Sequence, residues 1–242
     1  MTPLVLVHGF MGGSAQWDGL KAELGTGVEV IAFDLPGFGG NNHLPVLSTI
    51  SGFACWVIAQ LRAQGVDRYH LLGHSMGGMI AQEIARQDQT HIDRLILYGT
   101  GPIGVLPGRF ETIEETKARA KADGLTATAR RVSATWFLHR ENAPAYAACA
   151  RIAEQSAEAA IDAGLDAMQG WSGTDFLADI QPRTLVIWGD KDRTYPWEQI
   201  QELSGTIPDA QLAIVPGCAH AAHLEKPEIF AGLIYDFLQA AP

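Results

Sequence analysis

The chain reads as an α/β protein, a mostly parallel sheet flanked by helices, with a helical insertion between two of its later strands. Three observations point there. Short apolar runs alternate with helix-period segments over most of the 242 residues, a pattern that sets parallel strands between helices on both faces. The alternation stops between about 102 and 182, where helical spacing continues without a convincing strand. Hydrophobic residues make up 47% of the sequence, ample for one sizeable core and an insertion.

In chain order, the expected strands lie at about Leu4–Val7, Val28–Phe33, His70–Leu72, Leu95–Tyr98, Leu185–Trp188 and Leu212–Val215. Each is a short apolar run of the kind that a buried parallel strand requires. Helices are expected at about Ala15–Leu24, Ile50–Gln64, Met76–Gln87, Trp197–Leu203 and Pro227–Leu238. Residues 1–101 and 183–242 thus form the core, and 102–182 a helical cap. Within the cap, helical segments are expected near Phe110–Ala122, Ala127–Leu138, Ala145–Ala163 and Leu165–Trp171.

The most informative stretch is Gly73-His74-Ser75-Met76-Gly77. It follows the apolar run Tyr69-His70-Leu71-Leu72 and opens a segment with Met79, Ile80, Ile84 and Ala85 at helical spacing. A Ser at such a strand-to-helix turn is held in a strained, exposed conformation, and glycines two residues either side remove Cβ atoms that would collide. The helix N-terminus beside it favours developing negative charge. That is a nucleophile's setting. A serine hydroxyl needs a base, and the base an orienting anion. Carboxylates Asp190 and Asp192 follow the strand ending at Trp188-Gly189, and His220 follows the strand ending at Val215.

These features resemble the α/β-hydrolase fold family, in its large group of esterases, lactonases and carbon–carbon bond hydrolases. His8-Gly9-Phe10 matches the family's oxyanion motif, Asp34-Leu35-Pro36-Gly37-Phe38-Gly39 its Asp-x-x-Gly-x-Gly loop, and Gly73–Gly77 its nucleophile elbow. Gly189-x-x-Asp192 with Pro196 matches the acid loop, and His220-x-x-His223-Leu224-Glu225-x-Pro227 the histidine loop. The order Ser, Asp, His is the one this family uses.

The resemblance implies Ser75 as nucleophile, Asp192 as triad acid and His220 as base, with the backbone N–H groups of Phe10 and Met76 forming the oxyanion hole. By family spacing Asp190 is a solvated or loop-capping carboxylate. His223 either starts the final helix or lines the site entrance, and His8 orients the oxyanion loop. His74 points away from the nucleophile. The family's usual Gly before the base is Ala219 here, so a small backbone adjustment is expected. His8, Trp136, Trp171 and His223 are the candidate substrate-contacting residues, with Phe137 and Tyr146 further aromatics of the cap. One of the cap arginines (Arg109, Arg119, Arg130, Arg131, Arg140, Arg151) is a candidate for binding a substrate carboxylate. Only seven residues precede His8, so the family's antiparallel N-terminal hairpin is expected to be reduced or absent.

The implied activity is hydrolysis of a small carboxylic ester, lactone or enol-lactone through an acyl-enzyme, with no metal or organic cofactor. The alternatives are a carbon–carbon bond hydrolase of a vinylogous diketone acid and the menaquinone-pathway lyase that expels pyruvate. A non-catalytic ligand-binding member would need a broken triad. A dinucleotide site built on Gly9, Gly12, Gly13 and Asp34 lacks the G-x-G-x-x-G spacing.

A formal net charge of −10 argues against nucleic acid or an anionic membrane as partner. No apolar run approaches a membrane span and no basic-then-apolar leader precedes the first strand. Cys55, Cys149 and Cys218 have no metal or redox spacing and are expected as reduced, buried thiols in a cytoplasmic protein. A small-molecule substrate and a monomer or homodimer complete the expectation.

Overall fold

The computed structural model describes residues 2–105 and 111–240. Six strands, β1 (Leu4–Val7), β2 (Val30–Phe33), β3 (Tyr69–His74), β4 (Ile92–Tyr98), β5 (Arg183–Gly189) and β6 (Gln211–Val215), form one sheet. Their order is β2-β1-β3-β4-β5-β6, and every pairing is parallel. No antiparallel hairpin strand joins this sheet among the described residues, as expected.

Side-chain alternation along the strands sorts the core into two layers. Val5, Val7, Leu71 and Leu97 face helices α2 (Ile50–Ala63) and α3 (Met76–Asp88). Leu4, Leu6, Leu72 and Ile96 face α1 (Asp18–Leu24) and α9 (Pro227–Gln239). Thr49 caps α2 by accepting the Gly52 N–H at 3.0 Å, which satisfies one of the helix's orphan donors. The chain leaves β1 toward β2 on one side and returns to β3 on the other. The carboxyl ends of β1 and β3 therefore flank a topological switch point, where open α/β sheets bind ligands.

Between β4 and β5 lie α4 (Ile113–Thr135), α5 (Tyr146–Ala153) and α6 (Glu158–Gln169). Helix α4 is broken at Gly124, whose φ of +78° and ψ of 172° are non-helical, between the two segments the sequence suggests. Its N-terminus carries a capping box: Thr112 Oγ1 accepts from Glu115 N–H, and Glu115 accepts from Thr112 N–H. Phe110, the expected start of this segment, and Arg109 lie outside the described residues.

Two expectations within the insertion need correction. The single segment Ala145–Ala163 is two helices, because the loop after β2 takes over the backbone between them. Ala157 N–H donates to Gly37 O at 2.8 Å and Asn42 Nδ2 to Gln155 O at 2.9 Å. Gly164 does not end a helix; α6 runs through it. A Cβ at Gly164 would come within 2.8 Å of the Phe10 ring, so this glycine marks where the insertion meets the loop after β1.

The remaining helices are α7 (Trp197–Thr206) and the short α8 (Ala222–Glu225), which precedes α9. Cys149 and Cys218 are buried, but Cys55 is exposed on α2, against expectation, its thiol directed at Gln87 Oε1 at 3.4 Å. Among the described residues, no helix is long and apolar enough to cross a membrane.

Candidate active site

Ser75 joins β3 to α3 with φ 58° and ψ −121°, a region few non-glycine residues enter. Such strain costs on the order of 1–3 kcal/mol and persists only where the surroundings impose it. They do so by close approach: a Cβ at Gly73 would sit 2.1 Å from Gly77 O, and one at Gly77 2.2 Å from Val7 O. Ser75 N–H donates to Tyr98 O at 3.0 Å, and Thr100 Oγ1 donates to Ser75 O at 2.8 Å. The turn is pinned on both sides, at the N-terminus of a thirteen-residue helix.

The loop after β1 is set by His8. Its Nε2 accepts the Leu35 N–H at 2.9 Å, so the proton resides on Nδ1, which donates to Gly9 O at 2.8 Å. Gly12 N–H also reaches Gly9 O, at 3.0 Å. The peptide is planar and trans, so holding the Gly9 carbonyl fixes the Phe10 N–H in the opposite direction. Met76 opens α3, and its N–H is one of the donors a helix start leaves without an intrahelical partner.

Asp192 follows β5 and His220 follows β6. His220 Nδ1 lies 2.8 Å from Asp192 Oδ2, and both side chains are almost fully buried. The other carboxylate oxygen, Oδ1, accepts the N–H groups of Thr194 at 2.7 Å and Tyr195 at 3.3 Å. With Nδ1 occupied as donor, His220 has only Nε2 left to act as a base. Asp190 lies outside the site. It accepts the Gly217 N–H at 2.6 Å and pairs with Lys191 at 3.0 Å, so it braces the two loops.

Ser75 and His220 open into one cavity of about 480 Å³. Phe10, Val132, Leu165 and Met168 give it apolar walls, and Trp136 joins them as the sequence suggests. Arg131 also lines it, with its Nε and Nη2 buried and without a hydrogen bond; Asp123 at 3.6 Å and Glu111 at 3.9 Å are ion-pair partners. Leu165, Met168 and Thr194 carry no motif or spacing that would have singled them out. They reach the site only through the packing of α6 and the turn after Asp192.

Three of the four candidate substrate contacts lie elsewhere. His8 is fully buried, and both its ring nitrogens serve the loop just described. Trp171 donates its indole N–H to Glu83 Oε2 at 3.3 Å, and its carbonyl accepts from Gly104, which ties the two ends of the insertion together. His223 is buried behind His220 and not at the entrance, with Nδ1 3.0 Å from the Tyr98 hydroxyl. Tyr146 and Phe137 do not line the cavity either; Phe137 packs against Cys149 and Ala221. His70, within β3, is largely buried and lies 3.5 Å from Asp93. Ala219 sits outside the positive-φ region, which is why alanine can replace the family's glycine there. Asp34 accepts from Ser14 N–H at 2.6 Å and Gly40 N–H at 3.0 Å, which employs its carboxylate in loop bracing and leaves none for a ribose.

Burial pushes the His8 imidazole down to about 4 and that of His223 to about 3, and holds His74 well below its usual value. These rings are neutral in the folded chain and take up a proton near pH 6.5 once unfolded. The unfolded state then binds more protons between about pH 6.5 and pH 4, and stability falls as pH drops through that window. The slope approaches about 1.4 kcal/mol per pH unit for each such ring. Urea midpoints should fall steadily from pH 6.5 to pH 4.5; a flat midpoint over that range would show the rings to be protonated in the fold.

Comparison with known proteins agrees with this fold. A family model described as the alpha/beta hydrolase fold matches residues 2–227. The chain is 28% identical to the 2-hydroxy-6-oxo-6-phenylhexa-2,4-dienoate hydrolase of Burkholderia cepacia, covering 97% of this chain and 87% of that one. It is 30% identical to the pimeloyl-[acyl-carrier protein] methyl ester esterase of Aromatoleum aromaticum, covering 98% of each. Among solved structures, the enol-lactonase from Burkholderia xenovorans LB400 superposes with a TM-score of 0.90 at 22% identity, over 99% of this chain and 92% of that one. The chain belongs to the α/β-hydrolase fold family.

Proposed function

We propose that this protein is a serine hydrolase that cleaves a small carboxylic ester, lactone or enol-lactone through an acyl-enzyme. One observation carries the reading: Ser75, on a strained elbow, opens into the same cavity as a histidine whose other nitrogen is bonded to a buried aspartate. Ser75 Oγ attacks the carbonyl carbon as His220 Nε2 takes its proton, and Asp192 stabilises the imidazolium. The oxyanion is met by the N–H groups of Phe10 and Met76. Collapse breaks the acyl–oxygen bond, and His220 returns the proton to the leaving oxygen. Water, deprotonated by the same nitrogen, then attacks the acyl-enzyme and releases the acid and Ser75. The side chains of the insertion roof the cavity and restrict bulk water, which strengthens every polar contact inside.

A second reading has its own support. Arg131 lines the cavity as a cation whose partners, Asp123 and Glu111, stand no closer than 3.6 Å, and the Burkholderia cepacia relative is named for a conjugated carboxylate. A carbon–carbon hydrolase of a vinylogous diketone acid would use such a cation to hold its carboxylate. A panel of short esters, lactones, enol-lactones and a vinylogous diketone acid, read by mass spectrometry, separates the two. The ester reading expects a burst of nitrophenol from p-nitrophenyl acetate or butyrate, as acyl-enzyme accumulates. Rapid carbon–carbon cleavage with negligible ester turnover would replace it with the second reading, and release of pyruvate with the lyase.

A further inference from the structure

The backbone around His220 is held from two directions. In the core, the His220 carbonyl accepts from the Tyr98 hydroxyl at 2.8 Å and faces His74 Nε2 at 3.0 Å. On the side of the insertion, Ala221 N–H donates to Trp136 O at 2.9 Å. Glu225 completes the second set. Its Oε2 accepts the Ala219 N–H at 2.6 Å, and its Oε1 accepts the Leu138 N–H at 2.7 Å. Arg193, next in sequence to Asp192, donates to Leu138 O at 3.0 Å and to Phe137 O at 3.5 Å. Residues 136–138, which set Trp136 against the cavity, are thus bonded directly to the Ala221 amide, through Glu225 to the Ala219 amide, and to the neighbour of Asp192.

We propose that Glu225 is a positioning residue that couples the seat of the helical insertion to His220, so that closing the substrate cavity and placing the base are one structural event. The inference rests on the serine-hydrolase reading. Glu225 does not line the substrate cavity, so it acts through the Ala219 amide and not on the substrate. The geometry demands a carboxylate. Two N–H donors converge on two acceptor oxygens, and an ionised carboxylate accepts at both. A glutamine of the same length must turn its NH₂ toward one of those donors, and that bond is lost. Displacement of a base by a fraction of an ångström weakens catalysis without removing any catalytic group.

Glu225→Gln and Glu225→Ala should be assayed with p-nitrophenyl acetate, with competent sites counted by a phosphonate that labels Ser75. In Glu225→Gln, kcat per titrated site should fall about tenfold or more, with KM changed less than about twofold. The rate of phosphonate labelling, which also needs His220 to take the serine proton, should fall in step. A purely structural role would lower the melting temperature and the number of titrated sites while leaving kcat per site unchanged, and that result overturns the proposal. Hydrogen exchange on the wild type gives a second test if the variants fold poorly. The amides of 136–138 and 219–221 should gain protection together on phosphonylation; protection of one segment without the other contradicts the coupling. Wild type that takes no label at Ser75 removes the serine-hydrolase reading, and this proposal with it.

Discussion

Ser75→Ala is expected to lower kcat by about 10⁴-fold or more while leaving the thermal midpoint close to that of the wild type. The loss is large because the substitution removes the attacking oxygen itself. The fold is spared because alanine keeps the Cβ of serine. The φ of 58° is imposed by Gly73, Gly77 and the Tyr98 and Thr100 hydrogen bonds, none of which involves Oγ. Residual activity reports what the oxyanion donors and the cavity achieve alone. Steady-state kinetics beside a thermal melt check both halves, and a variant that keeps wild-type kcat assigns the chemistry to another group.

Asp192→Asn is expected to cost about 10⁴-fold in kcat with little change in KM, through the tautomer of His220. Oδ1 of Asp192 accepts from the N–H groups of Thr194 and Tyr195. An asparagine must keep its carbonyl oxygen toward those two donors, so its NH₂ faces His220 Nδ1. That nitrogen then has to accept, the proton moves to Nε2, and the base can no longer take the serine proton. Asp190→Asn is the comparison. Asp190 braces Gly217 and Lys191 outside the cavity, so its variant should lose some stability but keep kcat within a few-fold. Reversed severities would mean that the acid loop has been read two residues out of register.

Much of this was legible in the sequence because the core obeys local rules. Each of the six strands contains a short apolar run, and Gly73 and Gly77 flank Ser75 for a steric reason that any such turn shares. What stayed hidden depends on contacts between distant segments. The break between α5 and α6 carries no glycine or proline; the carbonyl of Gly37 and the amide of Asn42 create it from across the fold. Gly164 looks like a helix end and is instead the clearance for the Phe10 ring. Spacing alone leaves His223 either to open the final helical segment or to line the entrance; Tyr98 at the end of β4 decides it by drawing the ring inward. The two acceptor bonds of Glu225 join residues 87 and 6 positions away in the chain, and no spacing rule links them.

Ser75 is expected to carry the acyl group during turnover. Intact-protein mass spectrometry after rapid acid quench of the protein mixed with p-nitrophenyl butyrate tests it most directly, followed by peptide mapping. The wild type should carry a butyryl adduct on the peptide containing Ser75, accumulating in step with the nitrophenol burst and absent in Ser75→Ala. Turnover of the ester with the adduct on another residue, or with undiminished hydrolysis by Ser75→Ala, would contradict it.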